Sequence, residues 1–533
     1  MENENKKYDF IIVGAGSSGS VIANRLTENP KNSVLLLEAG RSEHLYARMP
    51  MSFGMFIDKP GVNWRYRSEP EPGTANRNIP IPRGKMLGGS SSINGLVYVR
   101  GQRLDYDTWA QMGNTGWSWE DLSKVFLRME NYENNTSNER GDSGPLRISQ
   151  VSDNNPLYET LIQAAESIGY PRSNDYNGPK QEGISRVQAT MSKGRRMSTE
   201  YTYLRPAMKR KNLHIITEAM TQSVILEGNK CVGVFYKKNE KLFKLRVRRE
   251  VILAAGAINT PQLLELSGIG NPEILQKYNI KVNHSLPAVG ENFQDHMMTR
   301  TQWELKTNDV SYNHLGRGFN RIGQMLKYIL TGRGLFSMPA ASIIAFLKTK
   351  TELETPDVQI QFIPFSVENL EKRVFHNFPG MAVAGYQIRP QSTGSVHIRS
   401  PNPYDSPSIQ FNFLSDPLDK QTLVETFKIM RRIVNAKPMD KYRKKELSPG
   451  ELLQSDEEIE HFLREKAETG FHPSCTCKMG PGPNAVVNDK LKVHGIESLR
   501  IADASIFPKI ISGNTNAACI MVGEKAADLI EKI

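Results

Sequence analysis

The stretch "YDFIIVGAGSSGSVIANRL", residues 8–26, sets the architecture. A short apolar run reads as a buried strand, a glycine turn follows, and a helix-like pattern comes next. Gly14, Gly16 and Gly19 fit G-x-G-x-x-G. The first glycine permits a tight turn, the second lets backbone approach a pyrophosphate, and the third lets helix and strand pack closely. The helix N-terminus offers free N–H groups and the positive end of a dipole to phosphate. A second apolar run, "SVLLLEAG", ends in Glu38, nineteen residues after Gly19. A carboxylate there suits the ribose hydroxyls of an adenine dinucleotide and repels a ribose phosphate, which disfavours NADP. NAD and FAD both remain open on these residues alone.

The rest of the chain narrows the class. With 533 residues there is room for two or three domains or one two-part architecture. A charged fraction of 23% and a hydrophobic fraction of 38% describe a globular protein, and no run approaches the ~20 apolar residues of a membrane helix. The start, "MENENKK", carries no secretory signal, so the expectation is a cytoplasmic protein. The net charge of +11 raises the question of nucleic acid. The densest basic stretch, "YKKNEKLFKLRVRREVIL", alternates Lys244, Arg246 and Arg248 with Leu245 and Val247. That is the period of a strand with one wet face and no stacking platform beside it, so no nucleic-acid partner is expected.

Near the end, "ETGFHPSCTCKMG" (468–480) sets two cysteines one residue apart beside a histidine. Zinc sites space their cysteine pairs more widely and need two further ligands, and Cys231 and Cys519 stand alone, so no metal is expected. A disulfide across one residue is strained, and the thiols read as reduced and partly buried. Upstream, "PRGKMLGGSSSINGLVYVRG" (82–101) crowds small residues among Met86, Leu87, Ile93 and Val97. Such a loop passes close to a flat or charged group.

With these motifs in place the chain resembles the glucose–methanol–choline (GMC) family of flavin oxidoreductases. "GKMLGGSSSIN" is similar to the family's first signature and "GAINTPQLLELSGIG" (256–270) to its second. "VGENFQDH" (289–296) and the tail "SLRIADASIFPKIISGNTNAACIMVGEKAADLI" follow in the family's order. The resemblance implies FAD and an α/β fold of GMC type. A Rossmann-like FAD-binding domain (1–155, 196–310 and 465–533) would interleave with a substrate domain (156–195 and 311–464) of antiparallel sheet backed by helices. "PDVQIQFIPF" and "GSVHIRS" alternate like strands there, and "DKQTLVETFKIMRRIV" repeats at helical spacing.

The family also implies roles. His472 is the acid/base facing the flavin, and Asn514, in "GNTNA", is the second catalytic position. Oxidising an alcohol by hydride transfer to flavin N5 requires a group to take the hydroxyl proton and a group to hold the oxygen, which imidazole and amide supply. Gly14, Gly16, Ser17, Ser18 and Gly19 would line the pyrophosphate, and Glu38 with Ala39 the adenosine ribose. Trp64 would lie near the adenine side, and Val224 would meet adenine through its backbone. Arg83, Met86, Gly89, Ser90, Asn94, Gly95 and Val97 belong to the loop along the isoalloxazine edge. Asp503 and Ala504 return to the phosphate–ribitol region, and Asn516 to the ring. Ile93 stands where some relatives carry a histidine that tethers FAD, so non-covalent FAD is expected.

The tail is most similar to choline and alcohol dehydrogenases. Choline oxidisers hold a quaternary ammonium with aromatic faces and a carboxylate. Relatives carry that glutamate four residues before a phenylalanine, and Ser342 stands four before Phe346 here. The expected substrate is therefore a neutral primary alcohol, aryl, furanic or aliphatic, with Phe471 as an aromatic wall. Choline dehydrogenase is the alternative, and a lyase or decarboxylase on the same fold is another. Oxygen and a quinone or other carrier are both open as electron acceptor.

Overall fold

The computed structural model describes residues 7–135, 138–369 and 374–531. The first sheet grows around Tyr8–Val13, which pairs in parallel with Val34–Leu37 on one side and with the end of Lys241–Leu253 on the other. Leu213–Ile216 extends it beyond Val34–Leu37, and Leu499–Ile501 joins Lys241–Leu253, again in parallel. Val34–Leu37 lies inside the sheet between Tyr8–Val13 and Leu213–Ile216 and is buried along its whole length, without alternation. The first half of Lys241–Leu253 turns outward and pairs antiparallel with Lys230–Lys238, which pairs with Met220–Glu227. There Leu245 is buried while Lys244, Arg246 and Arg248 are exposed. Arg246 pairs with Glu227 and Arg248 with Asp9, so the basic meander is a solvated sheet face.

Two helices close the first sheet at the glycine turn. Ser17–Leu26 follows Gly16, and Asn516–Glu531 packs across it. A Cβ on Gly523 would fall 2.8 Å from the Ser18 carbonyl oxygen, so the crossing is as close as backbone permits.

The second sheet is antiparallel, in the order Arg443–Ser448, Met297–Leu305, Gly380–Gln387, Val358–Ile363, Ile343–Leu347, Gly183–Arg186. Helices Pro156–Ser167 and Pro417–Asn435 cover one face, where Trp303, Ile360, Phe362, Met381 and Val383 form one core with Ile429 and Ile433. The opposite face carries Met298, Arg300, Gln361, Ile363, Ala382, Ala384 and Tyr386, and it looks into the cavity between the two sheets. Successive side chains on a strand point to opposite faces, so these two sets are interleaved in the sequence.

Two expectations shift. Met297–Leu305, which the sequence reading placed with the first unit, is an inner strand of the second sheet, paired with Gly380–Gln387 over Met298–Glu304. "GSVHIRS" does form a strand, Ser395–His397, but it pairs only with Ser408–Gln410, outside the main sheet. Among the described residues no helix is long and apolar enough to cross a membrane.

Candidate active site

A cavity of about 400 Å³ lies between the sheets. At its first end backbone meets backbone. Gly14 has φ +99°, and a Cβ there would sit 2.5 Å from the Ala254 carbonyl oxygen. A Cβ on Gly19 would sit 1.9 Å from the Gly14 oxygen, and one on Gly89 2.8 Å from the Gly16 Cα. Ser17–Leu26 has no side-chain cap, so its first N–H groups open onto this end. Ser17 Oγ donates to Asn516 Oδ1 at 2.8 Å, which ties a second helix N-terminus to the same spot.

Glu38 accepts from the Ala15 N–H at 2.9 Å and the Gly40 N–H at 2.8 Å, one through each carboxylate oxygen. Burial pushes its carboxyl up to about 7 against those hydrogen bonds and the nearby Lys85. Trp64 stacks on Tyr66 with Lys85 over its ring. Asp503 accepts from the Gly256 N–H at 2.9 Å and from Thr260 Oγ1 at 2.6 Å. Bare glycine backbone, two helix N-termini, two carboxylates and an aromatic ring along one cavity fit a dinucleotide such as FAD.

The cavity is lined by Gly14, Gly16, Ser17, Ser18, Glu38, Ala39, Trp64, Arg83, Gly89, Ser90, Asn94, Gly95, Val97, Asp503, Ala504 and Asn516. Three of the residues singled out from sequence lie elsewhere. Gly19 packs helix on strand behind the turn. Met86 is buried with Phe56, Val62 and Ile93. Val224 is within the meander with its N–H donated to Ser267 Oγ at 2.9 Å, so that donor is spent on the protein. Ala219, Met220 and Thr221 line the wall instead.

Where the sheets meet, His472 and Asn514 face each other, with His472 Nε2 2.9 Å from Asn514 Nδ2. The partners fix the proton positions. His296 Nε2 lies 3.1 Å from the Ile388 carbonyl oxygen, which only accepts, so His296 carries its proton there. His296 Nδ1 is then a lone pair, and His472 Nδ1, 2.9 Å away, donates to it. His472 Nε2 is left as a lone pair at the cavity wall, where the Asn514 amide N–H donates to it. Asn514 Oδ1 accepts from Gln359 Nε2 at 3.1 Å, which turns its amide N–H groups toward His472. Burial holds His472 well below the ordinary imidazole range, reinforced by His296 and Arg83. Burial also lowers His296 to about 4. Both rings are therefore neutral at neutral pH.

The His472 loop is clamped from behind. Asp295 accepts from the N–H of His472 at 2.9 Å and of His296 at 2.7 Å, and Thr469 donates to its other oxygen. Phe471, beside the cavity, has φ +65°, a costly conformation for a bulky side chain. Arg83 Nη2 donates to its carbonyl at 2.8 Å and Thr469 Oγ1 accepts from its N–H at 2.8 Å, which holds it there. Cys475 and Cys477 lie beyond this turn, fully buried, with the Cys475 thiol pushed up to about 12 by burial.

Reading the sequence missed Asp295 and His296, although "VGENFQDH" ends on them; the signal was a buried acid and imidazole in a quoted motif. It also missed Tyr386, Gln359 and Arg300, of which only Arg300 had a sign in the sequence, the alternation in "MMTRTQWEL". Ser342, whose missing carboxylate argued against choline, is buried against the Tyr158 hydroxyl at 2.8 Å and does not line the cavity.

Comparison with known proteins agrees with this geometry. Family profiles described as GMC oxidoreductase match residues 8–298 and 390–523. The chain is 41% identical over 532 residues to an oxygen-dependent choline dehydrogenase of Pectobacterium carotovorum, covering 99% of this chain and 95% of that protein. Among solved structures it is similar to pyridoxine 4-oxidase from Mesorbium loti, with TM-score 0.89 and 26% identity over 99% of this chain and all of that one. A formate oxidase variant of Aspergillus oryzae RIB40, solved in connection with FAD modification, superposes with TM-score 0.92 at 26% identity over 99% of each chain.

Proposed function

The chain belongs to the GMC oxidoreductase family, FAD-binding proteins that act on CH–OH donors, and from that premise we propose that it oxidises a neutral primary alcohol to the aldehyde with His472 as base. The observation that carries the base is the hydrogen-bond relay Ile388 C=O, His296, His472, which leaves a lone pair on Nε2. Bound FAD supplies the acceptor for the hydride. The protein's own groups manage the proton and the oxygen. Nε2 takes the hydroxyl proton as the Asn514 amide N–H, which otherwise occupies its lone pair, passes to the alcohol oxygen and holds it as charge develops. The imidazolium so formed keeps its Nδ1–H on His296, a hydrogen bond that strengthens to about 1.5–3 kcal/mol once the donor is charged.

FAD binds here without a covalent tether, since Ile93 offers only an alkyl side chain to the cavity. The substrate end favours a neutral alcohol. Met298, Ile363, Phe365, Val367, Phe375 and Ala384 are apolar, and the one charged side chain among the described residues of this wall is Arg300. The cavity's carboxylates, Glu38 and Asp503, sit at the nucleotide end. A quaternary ammonium would meet a like charge and no counter-ion. Choline stands as the second reading, on the 41% identity to a choline dehydrogenase.

Anaerobic mixing of the holoprotein with benzyl, furanic and medium-chain aliphatic alcohols and choline separates these readings. Bleaching of the oxidised flavin by the neutral alcohols, and not in His472→Ala, is the expected result. Bleaching by choline alone would replace the main reading with the second. Turnover that leaves the flavin oxidised throughout would point to lyase chemistry.

A further inference from the structure

The helix Gly318–Thr331 is inside out. Its polar side holds it to the protein: Asn320 Nδ2 donates to the His314 carbonyl at 3.2 Å, Gln324 Oε1 accepts from the Leu335 N–H at 3.1 Å, and the Tyr328 ring packs on Phe336. Its apolar residues, Phe319, Ile322, Leu326, Ile329 and Leu330, face outward and are 56% to 91% exposed. None of its described residues is buried. Positions 319, 322, 326, 329 and 330 share one side of a helix, so they form a continuous stripe rather than scattered contacts.

The charge around the stripe is one-sided. Residues 311–334 contain Arg317, Arg321, Lys327 and Arg333 and no acidic residue. None of the four makes an ion pair among the described residues; Arg317 donates to the Phe375 carbonyl. Arg321 and Lys327 flank the stripe on opposite sides, and Arg317 and Arg333 stand at its two ends. Long cationic side chains at the border of an apolar helical face reach anionic headgroups while the face enters the acyl boundary.

The helix also stands beside the cavity. Ahead of it, a Cβ on Gly316 would fall 2.0 Å from the ring of Phe375, a cavity wall. After it, Leu335–Ser337 packs on Pro50–Ser52, whose Met51 lines the cavity. Exposed Leu45, Tyr46 and Met55 belong to that same neighbouring segment.

We propose that Gly318–Thr331 is a membrane-docking helix that lies in the plane of an anionic lipid surface and sets the cavity's flank against it. A second copy of the chain fits less well, because a two-fold pairing of this face would oppose its cations in a protein already at +11. The proposal stands whichever alcohol is oxidised.

Cosedimentation of the holoprotein with vesicles tests it. The expected result is binding to phosphatidylcholine vesicles that contain a quarter phosphatidylglycerol, weaker binding to pure phosphatidylcholine, and release as salt is raised. The combined variant Phe319→Ser, Ile329→Ser, Leu330→Ser should bind at least about tenfold more weakly, with flavin content and activity on a soluble alcohol unchanged. Arg321→Gln with Lys327→Gln should remove the preference for anionic lipid. A Phe319→Trp variant gives an independent readout: its emission should shift to the blue on adding anionic vesicles. No vesicle binding and no Trp shift would overturn the proposal. A dimer in light scattering that the triple variant dissociates, with vesicles left unbound, would overturn it in favour of self-association.

Discussion

At the nucleotide end of the cavity, the turn 14–19 and the loop 84–95 press backbone on backbone, and what fits is decided by side chains that are missing. At the substrate end, on Met297–Leu305, Val358–Ile363 and Gly380–Gln387, every contact is a side chain on alternate positions of a sheet. The first end tolerates almost no change at its glycines, because a single Cβ collides with a fixed carbonyl. The second can exchange one side chain for another of similar volume and keep its shape. A cofactor held by the first kind of wall stays the same while the second kind is free to choose its alcohol.

Breaking the rigid wall has the largest expected effect. In Gly14→Val the added Cβ meets the Ala254 carbonyl at 2.5 Å at a φ of +99°, which valine does not adopt without strain. The protein should purify without flavin colour and without activity. A yellow, active Gly14→Val would show that backbone proximity does not define this end.

Removing the base comes next. His472→Ala should keep its flavin and lose about 10²- to 10⁴-fold in the rate of anaerobic flavin reduction. The same imidazole sets the pH dependence. Only its neutral form accepts a proton, and burial keeps its folded value well below the ordinary 6.5. Activity should therefore be complete at pH 7 and fall only on the acid side of 6.5, read as kcat/KM against pH in the free enzyme. An acid limb centred above 6.5 would contradict the buried, neutral His472.

His296 sits between the two kinds of wall and should show an intermediate effect. With His296→Ala, His472 loses the acceptor that fixes its tautomer, and a loss of about 10- to 100-fold is expected, the scale on which groups orienting an active residue act. A structural role alone would not move the pH profile. The orienting role predicts that the acid limb moves further to the acid side, because the hydrogen bond from Nδ1–H to His296 that steadies the imidazolium is gone. His296→Gln, which can still accept at that position, should recover part of the rate.

The same division explains what was legible in the sequence. The turn at Gly14 and the carboxylate at Glu38 are local words, a few residues whose spacing alone carries the chemistry, and both line the cavity. Val224 has no such word, because a backbone role leaves no trace in residue type, and its N–H goes to Ser267, which sequence does not place nearby. Arg300 and Tyr386 were hidden for another reason. They come from strands that meet only through the antiparallel register Met298–Tyr386, and each is flanked by neighbours that face the other way. Ser342 was singled out by its spacing from Phe346, and that spacing carries no information that its side chain turns to Tyr158 and away from the cavity. His472 was singled out only through the family's motif, while the tautomer proposed for it is set by the ring behind it.

The smallest effect is the one that asks most about the substrate wall. Arg300 is half-buried with an Nε that lacks a hydrogen-bond partner, and the one acid it pairs with among the described residues, Glu468, is 3.9 Å away. A cation in the cavity would therefore feel it with little screening. Arg300→Gln keeps length and hydrogen bonding and removes the charge. Neutral alcohols should reduce the flavin within about threefold of the parent rate, since they meet no charge at either side chain. Choline should gain about tenfold in apparent affinity, the equivalent of roughly 1.4 kcal/mol of like-charge repulsion relieved. If both substrates change by the same factor, Arg300 shapes the wall without reading charge, and the preference for a neutral alcohol must come from the apolar side chains alone.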